Sequence, residues 1–113
     1  MHHPNRLSVQ RRTWALTQKE LANLIDTSED AISSYELAKT VPMFMTAIAL
    51  ELVFDTRLAT LFPDTTHAVA QRMLPILADL SIKVEQLESS IAAKKRTLVT
   101  RIGNRIEKLT RRA

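Results

Sequence analysis

The chain has 113 residues, 16 basic against 12 acidic, for a formal charge of +4. One domain with a modest core plus an extension fits that length, and a single glycine with abundant Ala, Leu, Glu, Lys, Arg and Gln points to an all-α chain rather than a turn-rich β fold. The absence of cysteine excludes disulfides, thiolate metal sites and a cysteine nucleophile, while the N-terminal MHHPNRLSVQ lacks an apolar leader and VPMFMTAIALELVF at 41–54 is too short for a bilayer, so a soluble cytoplasmic protein with no membrane partner is expected.

The pattern predicts five short helices up to about residue 62. The first covers about 5–14. The second begins at Thr17, where TQKE is a capping box: the Thr17 hydroxyl accepts from the Glu20 N–H and the Glu20 carboxylate reaches back to the Thr17 N–H. Leu21, Ala22, Leu24 and Ile25 supply its inward face. Asp26 and Thr27 break the period, and a third helix restarts with Thr27 or Ser28 as N-cap. Pro42 is placed to open a fourth helix, with Phe44, Ile48, Leu52 and Val53 as its apolar stripe. Thr56 can cap a fifth helix ending in Leu61 and Phe62, and Pro63 stops it.

Two helices joined by a short turn, with small Ala22 where they approach, describe a helix-turn-helix. The stretch LTQKELANLIDTSEDAISSYELAKTVP resembles that motif in the Cro and lambda-repressor (XRE) family. The matching positions are Leu16, Thr17, Gln18, Leu21, Ala22, Ser28, Ile32, Ser33, Glu36 and Pro42. The resemblance implies a five-helix DNA-binding domain over residues 1–63 and an ion pair between Arg11 and Glu36. It also implies a base-reading surface of Ser28, Glu29, Asp30, Ser33 and Ser34. Gln18 at the start of the second helix would face a phosphate, with Lys19 and Lys39 as further backbone contacts. Two glycines of the family pattern are replaced, by Asp26 in the turn and by Ala38 after the third helix. Ala38 cannot take a positive φ without strain, so a different exit from that helix is expected.

Carboxylates cannot anchor phosphates, but Glu29 or Asp30 in a major groove can accept from cytosine N4. The competing reading is that negative charge in a first turn stabilises a helix N-terminus by about 0.3–1 kcal/mol. Residues 1–63 carry six basic and seven acidic side chains, net −1, whereas residues 92–113 carry eight basic and one acidic, net +7. The basicity therefore belongs to the extension.

In that extension, residues 64–113, Asp64, Thr65 and Thr66 can cap a new helix. Leu77, Leu80, Val84, Leu87, Ile91 and Leu98 fall at alternating steps that make a coiled-coil seam, interrupted by Lys94. Pro75 is expected to kink or divide this helix near its start, and Gly103 with Asn104 to loosen its end. A helix over 76–112 would be about 55 Å long, too long for one small domain to cover, and Lys83 and Glu88 would pair across a parallel dimer. A homodimer through the C-terminal helix is therefore expected. Its basic end is either a solvated face or a non-specific nucleic-acid contact.

His2, His3 and His67 have no ligand spacing, and no nucleophile–base set or phosphate loop appears, so neither enzyme activity, a cofactor nor a metal is expected. The leading expectation is a dimeric regulator that binds double-stranded DNA at a palindromic operator, with repression the sign that the resemblance implies. Its alternatives are a helix-turn-helix reused to dock a protein partner and a non-specific nucleic-acid binder.

Overall fold

The computed structural model describes residues 4–111, so His2, His3 and Arg112 lie outside it. Helices follow one another as α1 (Leu7–Thr13), α2 (Gln18–Leu24), α3 (Glu29–Glu36), α4 (Phe44–Phe54), α5 (Leu58–Leu61), α6 (Pro63–Glu85) and α7 (Ser90–Thr110). No strand occurs among the described residues. The chain divides into two compact units, Met1–Asp64 and Thr65–Ala113.

In the first unit, Leu7, Leu21, Ile32, Leu50 and Leu61 are fully buried and come from five different helices. Burying each contributes about 1.5–3 kcal/mol, so five helices of at most eleven residues hold together through one shared core. The N-terminus is tied to this core by Asn5. Its amide donates to the Tyr35 carbonyl at 2.8 Å and its oxygen accepts from the Leu7 N–H at 3.0 Å, while the Arg6 N–H donates to the Leu61 carbonyl at 2.8 Å.

The α4 stripe differs from expectation. The buried side is Ala47, Leu50 and Phe54, with Val53 packed against the core, whereas Phe44, Ile48 and Leu52 face outward. Periodicity could not choose between the sides because every residue of FMTAIALELVF except Thr46 and Glu51 is apolar. Thr56 is not the cap of α5 either. Its hydroxyl donates back to the Phe54 carbonyl, and the Leu58 N–H is taken by the Glu51 carboxylate at 2.9 Å. Pro63 ends α5 and is at the same time the first residue of α6, where a missing N–H costs nothing.

The second unit corrects the single long helix expected over 76–112. α6 continues through Pro75, and the break comes at residues 86–89. There the Gln86 and Leu87 N–H groups tighten onto Lys83 and Val84, and Ser89 caps α7 by accepting from the Ala92 N–H at 3.2 Å. Arg96 then reaches back to donate to the Leu87 carbonyl at 2.7 Å, satisfying the end of α6. The helices turn back antiparallel: Ser81, Val84 and Glu85 share a groove with Arg96, Val99 and Thr100, and further along Leu77 lies beside Gly103.

The predicted seam is accordingly divided. Val84 is buried and Leu77 half-buried in the hairpin, while Leu80, Leu87, Ile91 and Leu98 remain exposed. Lys83 lies near the end of α6 and Glu88 within the break itself, which removes the basis for pairing them across one parallel coiled coil. Gly103 lies inside α7 rather than at a loosened end.

Candidate nucleic-acid interface

The interface is built from α2, the turn 25–28 and α3. The Thr17 capping box is present in both directions, with the Glu20 N–H donating to the Thr17 hydroxyl at 3.0 Å and the Thr17 N–H donating to Glu20 at 2.9 Å. Those bonds, the backbone one foremost, hold the Glu20 carboxyl below its ordinary value. α2 ends with Asp26 at φ 56°, and the Thr27 N–H closes onto the Ala22 carbonyl at 2.9 Å. Ser28 then caps α3 by accepting from the Ala31 N–H at 3.1 Å. The turn is therefore closed by one left-handed residue between two helices, and Asp26 takes the conformation that glycine would.

The exit from α3 corrects the expectation for Ala38. It adopts φ 59°, its N–H donates to Tyr35 O at 3.1 Å, and the Lys39 N–H donates to Ser34 O at 2.9 Å. This is the paired closure usually built on glycine. Ala15 repeats it after α1, at φ 57° with bonds from Ala15 to Arg12 and from Leu16 to Arg11. Each alanine stores about 1–2 kcal/mol of strain that the surrounding packing offsets.

Beneath the surface lies a polar network. Arg11 Nε donates to Glu36 Oε2 at 2.6 Å, Nη2 to Glu36 Oε1 at 3.1 Å, and Nη1 to the Leu16 carbonyl at 2.7 Å. Both side chains are buried, and the hydrogen-bonded carboxylate raises the Arg11 guanidinium above its ordinary value despite the opposing effect of burial. Gln18 joins the same network, its amide nitrogen donating to Glu36 Oε1 at 3.1 Å. Its side chain is thus held from inside, and one amide proton and the amide oxygen remain for an outside group.

Among the predicted contact residues, Lys19, Ser28, Glu29, Asp30 and Lys39 are exposed. Ser33 and Ser34 are half-buried, and the Ser34 hydroxyl lies 3.0 Å from that of Thr40. The sequence reading missed Leu37, exposed at the end of α3 and placed seven and four residues after Asp30 and Ser33. That spacing puts it on their face, and it was the available signal. The face thus offers hydroxyls, carboxylates and one apolar group, which match exposed base edges: cytosine N4 for a carboxylate and the thymine methyl for Leu37.

The charge around this face is unfavourable for a phosphate backbone. Residues 1–64 carry six basic and eight acidic side chains, and Arg11 is already committed internally. Exposed Arg6, Arg12, Lys19, Lys39 and Arg57 remain. α7 is different: Lys94, Arg101, Arg105 and Lys108 follow at steps of seven, four and three, share one helix face, and are all exposed. Glu107 points elsewhere and pairs with Arg111 at 2.5 Å.

Among the described residues no group of three or more His, Asp or Glu side chains could hold a metal ion, and no helix is long and apolar enough to cross a membrane. A family model described as Helix-turn-helix matches residues 15–61. No curated protein and no solved structure matches the chain.

Proposed function

Starting from residues 15–61 as a helix-turn-helix domain of the lambda-repressor (XRE) type, we propose that the chain is a sequence-specific, DNA-binding transcriptional regulator, a repressor that acts as a homodimer on a palindromic operator. The observation that carries this reading is the doubly capped α2–turn–α3 unit. It holds Ser28, Glu29 and Asp30 exposed, beside Ser33 and Leu37, on a helix whose other side is locked by Ile32 and the Arg11–Glu36 pair. α3 enters the major groove with its first turns. Gln18 and the free N–H groups at the start of α2 meet a phosphate, fixing register without reading sequence.

The acidic residues cannot attract DNA, so attraction comes from elsewhere. Arg6, Arg12, Lys19 and Lys39 supply part of it, and the basic face of α7 supplies a sequence-independent share. A two-fold dimer presents two α3 helices to half-sites about one helical turn apart.

A second reading is favoured by the net negative charge of residues 1–64: the exposed face of α3 docks a protein instead of DNA. Selection of binding sites from random duplexes separates the two. An enriched palindrome is the expected result, whereas recovery of no motif at moderate salt would move the assignment to protein docking.

A further inference from the structure

Among the described residues of the first unit, the four most exposed large apolar side chains are Met45, Met43, Leu52 and Phe44, at 83, 80, 79 and 78%. With Ile48, the three within α4 fall at positions i, i+1, i+4 and i+8 counted from Phe44, which is one face of the helix, and Met43 sits at its N-cap. The opposite face is already used, since Ala47, Leu50 and Phe54 fill the core. No charged residue occurs from 40 to 50, and the one charge within α4, Glu51, is directed to the Leu58 N–H. A helix apolar on both sides belongs between two bodies, and within the first unit only one is accounted for.

From this face we infer that α4 is the homodimer interface, with a second copy of this chain as its occupant. The inference rests on the dimer proposed above and names the surface that forms it. Size is the first argument. Scaled by roughly 150–250 Å² for a large side chain, the five residues expose on the order of 600 Å², close to the ~800 Å² that a stable interface takes from each partner. Composition is the second: methionine and phenylalanine are enriched and charge is depleted at interface centres, and this patch has both properties. The lack of charge also disfavours DNA or a charged peptide as occupant, since either requires complementary groups that the face does not offer.

With the two-fold axis perpendicular to α4, the pairing follows. An isologous contact between identical helices is antiparallel when the axis is perpendicular to them, and a residue near the axis meets its own counterpart. Ile48, midway between Phe44 and Leu52, takes that position, and Phe44 of one protomer packs on Leu52 of the partner subunit. The interface thereby belongs to the same unit as α3, so the spacing of the two reading helices is set within that unit.

The absence of cysteine makes this directly testable in the full chain. Under mild oxidation Ile48→Cys is expected to give a disulfide-linked dimer, because such a bond needs Cα atoms within about 7 Å. Leu98→Cys, on the exposed side of the hairpin, is expected to stay unlinked. Phe44→Glu and Leu52→Glu change exposed side chains, so circular dichroism should be unchanged while sedimentation shows the dimer dissociation constant raised about thirtyfold or more. A monomeric unmodified chain at micromolar concentration overturns the inference. So does linkage through Leu98→Cys with none through Ile48→Cys, or loss of helicity in Phe44→Glu, which would mean that the face is covered within its own chain. None of these measurements contains DNA, so they can fail while the palindrome selection succeeds, and the reverse.

Discussion

Arg11 and Glu36 lie 25 residues apart in the chain and meet through two hydrogen bonds of 2.6 and 3.1 Å, joining the end of α1 to the end of α3 beneath the proposed reading surface. The pair also holds the Leu16 carbonyl and the Gln18 amide, so the entry to α2 is fixed by the same carboxylate and guanidinium. A contact that orients both helices of the motif should be felt in stability and in binding alike.

Breaking this pair on one side leaves a buried charge unmatched. Arg11→Ala or Glu36→Ala should each lower stability by about 3–5 kcal/mol, whereas replacing both with apolar residues of similar volume should cost far less. Urea unfolding followed by circular dichroism measures this. Additive losses in the double variant would show that the two side chains act independently.

Two small-residue exchanges should move stability upward for opposite reasons. Ala38→Gly relieves a left-handed alanine, and after the greater chain entropy of glycine is deducted about 0.5–1 kcal/mol should remain. Gly103→Ala lies in a helix interior, where a Cβ would stand 3.8 Å from Leu77 Cδ2, an ordinary contact, so helix propensity should contribute about 1 kcal/mol. Thermal unfolding checks both, and a lower melting temperature for Ala38→Gly would contradict the strain argument.

The acidic pair on α3 tests how sequence is read. If Glu29 or Asp30 accepts from cytosine, its replacement by Ala should cost about 1–3 kcal/mol on the selected site and relax discrimination at one base pair per half-site. Binding to unrelated duplexes should hold or strengthen, since a negative charge near phosphates is removed. Equal losses on every duplex would mean that neither carboxylate reads a base.

The basic face of α7 makes a separate, salt-dependent prediction. Changing Lys94, Arg101, Arg105 and Lys108 to Gln should flatten the dependence of log K on log salt by about 0.9 for each phosphate no longer neutralised, without altering the selected motif. Affinity titrations at several salt concentrations read the slope. An unchanged slope would leave α7 as a solvated face.

The sequence alone determined the elements whose causes are local. Thr17 with Glu20, Ser28, and the spaced Leu21, Ala22 and Ile32 define α2, its turn and α3, because caps and apolar period act within a few residues. Those elements lie within the matched residues 15–61. Tertiary structure decided what local rules leave equal. α4 is apolar nearly all round, so only the packing of Leu50 and Phe54 against the core chose its inward side and left Phe44 and Leu52 outside. The repeat through Leu87 and Ile91 suits a long helix and a hairpin equally well. What ended α6 was a Ser89 cap together with Arg96 returning to the Leu87 carbonyl, and that bond exists only once α7 has folded back. Ala38 likewise takes a conformation that its own sterics disfavour because Tyr35, Glu36 and Asn5 fix the end of α3 through contacts distant in sequence, and those together outweigh a local strain of about 1–2 kcal/mol.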